Sequence, residues 1–66
     1  MMITVNGERR EVPEGIVVAV LLEQLGMPRD RVAIEHNLNI LPRESWQVTL
    51  VQPQDNFEIV QFVGGG

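Results

Sequence analysis

Three consecutive glycines, Gly64, Gly65 and Gly66, close the sequence, and the α-carboxylate of Gly66 is the group best placed to do chemistry. Lacking Cβ atoms, a glycine run can extend through a channel too narrow for any side chain and stay flexible enough to visit more than one active site. The carboxylate is ionised well below neutral pH and can attack the α-phosphate of a nucleotide held by a partner, giving an acyl-adenylate. Glycine-rich ends are often no more than frayed termini. Here the glycines follow directly from a strand pattern with no linker between, which favours a working tail.

No hydrolase-like or phosphate-cradling constellation competes with that tail. His36 is a lone histidine near a strand end and fits an ordinary, partly packed residue better than a catalytic one. Ser45 has no base beside it, and Glu44 reads as a residue of a helical turn. Trp46 is expected to fill the core or its rim. Asp55 and Glu58 read as solvated surface carboxylates, pairing with a partner's arginines being the alternative. With no cysteine and one histidine, thiolate ligation is excluded and a zinc site lacks ligands; no bound metal or cofactor is expected.

The elements that must position the tail are legible in the spacing of apolar residues. Met2-Ile3-Thr4-Val5 alternates, Asn6-Gly7 accepts the positive φ angles of a two-residue hairpin turn, and Glu8 to Val12 forms a charged second arm suited to a sheet edge. Pro13-Glu14-Gly15 breaks the pattern. Over Val17 to Leu25, Val18, Leu21, Leu22 and Leu25 fall at i, i+3, i+4 and i+7, one face of a helix. Gly26 and Pro28 end that helix, whereas Ile16 or Val17 stands where a Ser, Thr or Asp cap belongs. Val32 to His36 predicts a strand and Asn37-Leu38-Asn39 a turn. The alternation at Val48 and Leu50 predicts a further strand, Gln52 to Asn56 a turn, and Phe57 to Phe62 the last strand. The order β, β, α, β, β, β predicts an α+β domain with one helix across one face of a mixed sheet of four to five strands. If Phe57 and Ile59 face the helix, Glu58, Val60 and Phe62 lie on the open face, where an apolar cluster beside the tail is a candidate docking site.

Composition limits what such a domain can be. A chain of 66 residues buries only about 60% of its unfolded surface, enough for one modest core. Hydrophobic residues, 44% of the chain, are spread from end to end despite a net charge of −4, which argues for a soluble globular domain rather than disorder. The longest apolar stretch, Ile16 to Leu22, is far short of a membrane span, and no leader precedes the first strand, so no membrane contact and a cytoplasmic location are expected. Net acidity and scattered arginines argue against nucleic acid; acidity suits a basic docking surface on a protein partner, though it is also ordinary for solubility.

Read along the chain, Asn6-Gly7-Glu8, Gly15 with Leu21-Leu22-Glu23-Gln24-Leu25, Val32-Ala33-Ile34-Glu35 with Asn37, Leu41-Pro42-Arg43-Glu44-Ser45-Trp46, and Asp55-Asn56-Phe57-Glu58-Ile59-Val60 leading to Phe62-Val63-Gly64-Gly65-Gly66 resemble one family over the whole length. That family is the bacterial thiamine-biosynthesis sulfur carriers, ThiS, among the ubiquitin-like proteins. The resemblance implies a β-grasp domain over residues 1–63 and a flexible tail over 64–66. It implies a carrier rather than an enzyme: Gly66 would be adenylated by an ATP-dependent E1-like enzyme, converted to a thiocarboxylate by a sulfur donor such as a cysteine desulfurase, and unloaded at thiazole synthase. ATP would be consumed by the activating partner. Gly65 and Gly66 match the family's terminal pair, and Gly64 the extra glycine many members carry. Val17, where members usually have Thr, and Asn56, where Gly is usual, depart from the pattern and bear on local stability.

Three rival readings stay open. The small subunit of molybdopterin synthase shares the fold, terminal diglycine and thiocarboxylate, with chain length and the Pro42 to Trp46 segment favouring the thiamine carrier. A ubiquitin-like protein-modifying tag would use the same carboxylate, but without lysine it could extend chains only through its α-amine. A plain interaction module would work without Gly65 and Gly66.

Overall fold

The computed structural model of the chain describes residues 1–62. Strand β1 (Met2–Val5) turns at Asn6 and Gly7, both at positive φ (50° and 83°), into the antiparallel β2 (Glu8–Glu11), with Met2 opposite Glu11 and Val5 opposite Glu8. Helix α1 spans Val18–Leu25, and Gly26 ends it in the left-handed region at φ 72°. After a short 3-10 turn (Arg29–Arg31) come β3 (Val32–His36), β4 (Asn39–Leu41), a second 3-10 turn (Arg43–Ser45) and β5 (Asn56–Gln61). The sheet order is β2-β1-β5-β3-β4. All neighbours are antiparallel except the central pair β1 and β5, which run parallel with Val5 beside Phe57. The charged β2, exposed at all four positions, takes one edge, where its charges discourage pairing with other chains.

One helix on one face of this sheet gives one core. Val18, Ala19, Leu21 and Leu22 of α1 are buried with Ile3, Val5, Val32, Ile34, Phe57 and Ile59 of the sheet, and Trp46 and Val51 close the side. Leu25 is only partly buried. The Trp46 indole Nε1–H donates to the Leu41 carbonyl at 3.1 Å, and the Arg43 guanidinium stacks over the indole at 4.7 Å while donating to the Arg29 and Val32 carbonyls. One arginine thus ties the two 3-10 turns to the start of β3.

Two sequence expectations are corrected. The fourth strand is Asn39–Leu41, not the segment around Val48 and Leu50. His36 pairs with Asn39 across the two residues Asn37 and Leu38, both at positive φ (50° and 75°), so Asn39 opens a strand instead of completing a turn. Val48 is exposed, and Leu50 makes a single bridge to Val17. The alternation there belongs to an irregular turn, where two apolar side chains two apart carry no ladder.

Asp55 is the second correction. It is buried rather than solvated. Its carboxylate accepts from the Gln52 amide (2.8 Å) and Asn37 Nδ2 (3.0 Å) and lies 3.0 Å from His36 Nε2. Asn37 also accepts from the Asn56 amide through its side chain and donates its own amide to the Asn56 carbonyl. The cluster staples the β3–β4 hairpin to the start of β5.

The two departures from the family pattern carry no local strain. The left-handed residue in the turn before β5 is Gln54, at φ 68°, and Asn56 is not among the positive-φ residues. At Val17 no side chain caps the helix. Instead the Val18 amide donates to the Thr49 carbonyl at 2.9 Å and the Ala19 amide to the Trp46 carbonyl at 3.0 Å.

Candidate functional site

The terminal glycines Gly64, Gly65 and Gly66, and the boundary expected after Val63, lie outside the described residues. What is described is the element that delivers them. β5 is the middle strand of five, bonded to β1 on one side and β3 on the other. Its hold on β1 is lengthened by the Asn6 side chain, whose Oδ1 accepts from the Ile59 amide at 2.7 Å and whose Nδ2 donates to the Ile59 carbonyl at 3.1 Å. At the other end the Phe62 amide donates to the Arg31 carbonyl at 2.7 Å. The backbone is therefore anchored up to Phe62, four residues before the terminal carboxylate.

Period-two alternation along β5 divides its side chains between the faces. Phe57 and Ile59 are buried under α1, while Glu58, Val60 and Phe62 are exposed, Val60 at 59% and Phe62 at 52%. Cross-strand register extends the open face to β3 and β4, because directly opposed residues share a face. Val60 is opposite Ala33, Glu58 opposite Glu35, and Glu35 opposite Ile40 on its other side. A groove of about 220 Å³ lies where the β3–β4 side of the sheet meets Phe62, lined by core residues Val32, Ile34 and Trp46 as well as by Ile40, Pro42 and Phe62. The open face thus joins an apolar patch of Ala33, Ile40, Val60 and Phe62 to a pair of carboxylates, Glu35 and Glu58.

Ile40, Ala33 and Glu35 were not picked out by sequence reasoning, because a fourth strand at 48–50 leaves Ile40 without a place in the sheet. The signal that would have found them is the two-residue loop at Asn37-Leu38: once it is read as a hairpin turn, Asn39-Ile40-Leu41 must fold back on β3 and Ile40 falls beside Glu35.

The remaining polar candidates are structural. His36 stacks on Phe57, ring centroids 4.8 Å apart and 12° from parallel, and faces Asp55 at the end of the sheet where β5 begins. The Ser45 carbonyl accepts from Thr49 Oγ1 at 2.7 Å. Among the described residues no group of His, Asp and Glu has an arrangement that would hold a metal ion, and no helix is long and apolar enough to cross a membrane.

A mixed five-stranded sheet crossed by one helix, with its last strand at the centre, is the ubiquitin-like β-grasp class of small domain. Comparison with known proteins narrows this. The pattern of the ThiS family matches residues 3–66. The chain is 35% identical to the sulfur carrier protein ThiS of Escherichia coli (strain K12) over 66 residues, covering all of both. The crystal structure of the thiamine biosynthesis protein ThiS from Geobacter metallireducens superposes with a TM-score of 0.85 at 36% identity, each chain covered in full. The present chain is also 41% identical over 66 residues to a thiazole synthase of Paramagnetospirillum magneticum, of whose length it spans only 20%. It spans the same share of a second thiazole synthase, from Magnetococcus marinus. This chain belongs to the ThiS family.

Proposed function

We propose that this chain is a sulfur carrier that supplies the thiazole of thiamine, with its own residues providing a docking face and a terminal carboxylate but no acid, base or metal. The carboxylate of Gly66 attacks the α-phosphate of ATP on an E1-like activating enzyme, and pyrophosphate leaves. The outer sulfur of a persulfide on a donor such as a cysteine desulfurase then attacks the adenylate and displaces AMP, which takes one carboxylate oxygen with it. A second thiol reduces the resulting acyl disulfide, releasing the thiocarboxylate and leaving a disulfide between that thiol and the donor's cysteine. The thiocarboxylate holds sulfur covalently, is nucleophilic when ionised, and returns to the original carboxylate after transfer to thiazole synthase. Gly64 and Gly65 let the tail enter each partner's active site. Glu58, Val60 and Phe62 form the docking face, and the work is done in the cytoplasm.

The observation that carries this reading is the end-to-end likeness to a sulfur carrier protein, in a family match that runs through residue 66. A partnership with thiazole synthase is supported by the two thiazole synthases in which the matching segment is one fifth of a longer polypeptide. The geometry fits, since a tail leaving the middle strand starts from a fixed point beside an exposed apolar patch.

Intact-protein mass spectrometry tests it. After incubation with ATP, the activating enzyme and a sulfur source, the chain should gain the mass of one oxygen exchanged for sulfur, and a variant lacking Gly66 should not. An unchanged mass with partners shown to be active on another carrier removes the carrier reading.

A further inference from the structure

Glu35 and Glu58 face each other across the β3–β5 pair on the open side of the sheet. Residues directly opposed in an antiparallel pair have Cβ atoms about 5 Å apart, and like charges there are destabilising. Neither carboxylate joins an ion pair among the described residues. A sheet can place any polar residue at such a position, so an uncompensated like-charge pair is a local rule broken without a gain inside the fold, and such breaks concentrate where a surface does work. The pair also lies in a row with Ile40, 73% exposed, and next to Val60 and Phe62. Two carboxylates side by side on the border of an apolar patch are what a planar guanidinium recognises, with donors enough for both.

The partner's chemistry follows from the reaction. An enzyme that activates a carboxylate with ATP must bring a second anion up to a triphosphate, so the mouth of its site has to be electropositive. A carrier of net charge −4 that concentrates two uncompensated carboxylates beside the patch at the root of its tail complements such a mouth. Resting on the sulfur-carrier reading, we infer that Glu35 and Glu58 together form a clamp for an arginine of the adenylating partner, set in an apolar surface that covers Ile40, Val60 and Phe62. The clamp joins β3 to β5, the strand that leads to the tail, so it orients that strand on the partner as well as setting the affinity.

Binding of the whole chain to the activating enzyme, measured by calorimetry without ATP, separates docking from chemistry. Glu35→Gln and Glu58→Gln should each raise Kd about tenfold, the double variant further, and the salt dependence of binding should weaken. Over the same series the melting temperature should rise by about 2–4 °C, because the repulsion is relieved. Weaker binding from a more stable chain has the sign that a merely structural role could not give. A Kd unchanged in both single variants and the double overturns the clamp. A wild-type chain that binds through the pair yet gains no sulfur would instead sink the carrier reading and leave the clamp standing.

Discussion

At Asp55 two opposed effects decide how the fold responds to acid. Burial pushes the pKa of this carboxyl up, but hydrogen bonds from the Gln52 amide, Asn37 and His36, and the charge of His36, outweigh it and hold the carboxyl below its ordinary value. A group with a depressed folded pKa binds fewer protons in the folded than in the unfolded chain. It therefore contributes stability above the ordinary carboxylate range, and that contribution is lost as pH falls through the lowered value. Asp55→Asn places an amide N–H either at Oδ1, where the carboxylate accepts from Asn37, or at Oδ2, where it accepts from the Gln52 amide and faces His36, and should cost about 1–3 kcal/mol at neutral pH. The gap to wild type should close as pH falls from the ordinary carboxylate range through the lowered folded value. Urea unfolding of both chains across that range checks this, and parallel losses would show that Asp55 is not the titrating link. No pattern in the sequence announces this cluster. Asn37 and Asp55 are both ordinary turn residues, and only the pairing of β3 with β5 brings them within 3.0 Å.

Among the elements, helix α1 shows how tertiary contacts replace a local signal. An N-cap side chain normally serves amides at the start of a helix, and providing one typically adds about 1 kcal/mol. Here the Val18 and Ala19 amides already have the carbonyls of Thr49 and Trp46, and the Val20 and Leu21 amides reach the Val17 carbonyl, both at 3.0 Å. Val17→Thr should therefore change stability by no more than about 0.5 kcal/mol. A gain of a full cap's worth in thermal or urea unfolding would mean that those amides are not satisfied by the turn. The same contacts explain why residues 46–50 look like a strand in sequence but are not one: their backbone is occupied in capping the helix. The β1–β2 hairpin and the end of α1 were legible because Asn6-Gly7 and Gly26 act locally. Strand β4, three residues long and mostly exposed, has no periodicity to read and exists only because the Asn37-Leu38 turn sends the chain back along β3.

For the molecule as a whole, the sheet separates a buried face from an open one, and β5 carries residues of both. Its inward residues hold the core: Phe57 is fully buried, and Phe57→Ala should cost about 3–5 kcal/mol, as much as a domain of this size commonly has in total. Its outward residues contribute little to the core. Phe62 is half exposed, so Phe62→Asp should leave the melting temperature within about 4 °C of wild type, in line with a surface change of at most about 0.5 kcal/mol. The division itself was readable from the alternation of Phe57 to Phe62. The rest of the open face was not, because it depends on which strand lies beside β3. If the open face is where partners bind, Phe62→Asp should lower the apparent affinity for the activating enzyme at least tenfold, an aromatic anchor at an interface centre being worth about 1.4 kcal/mol or more. Sulfur loading at saturating enzyme should still reach completion, because Gly66 is untouched. A variant that melts normally and loads with wild-type affinity would place the docking surface elsewhere, the exposed Val48 and Leu50 beside the start of α1 being the next apolar surface to test.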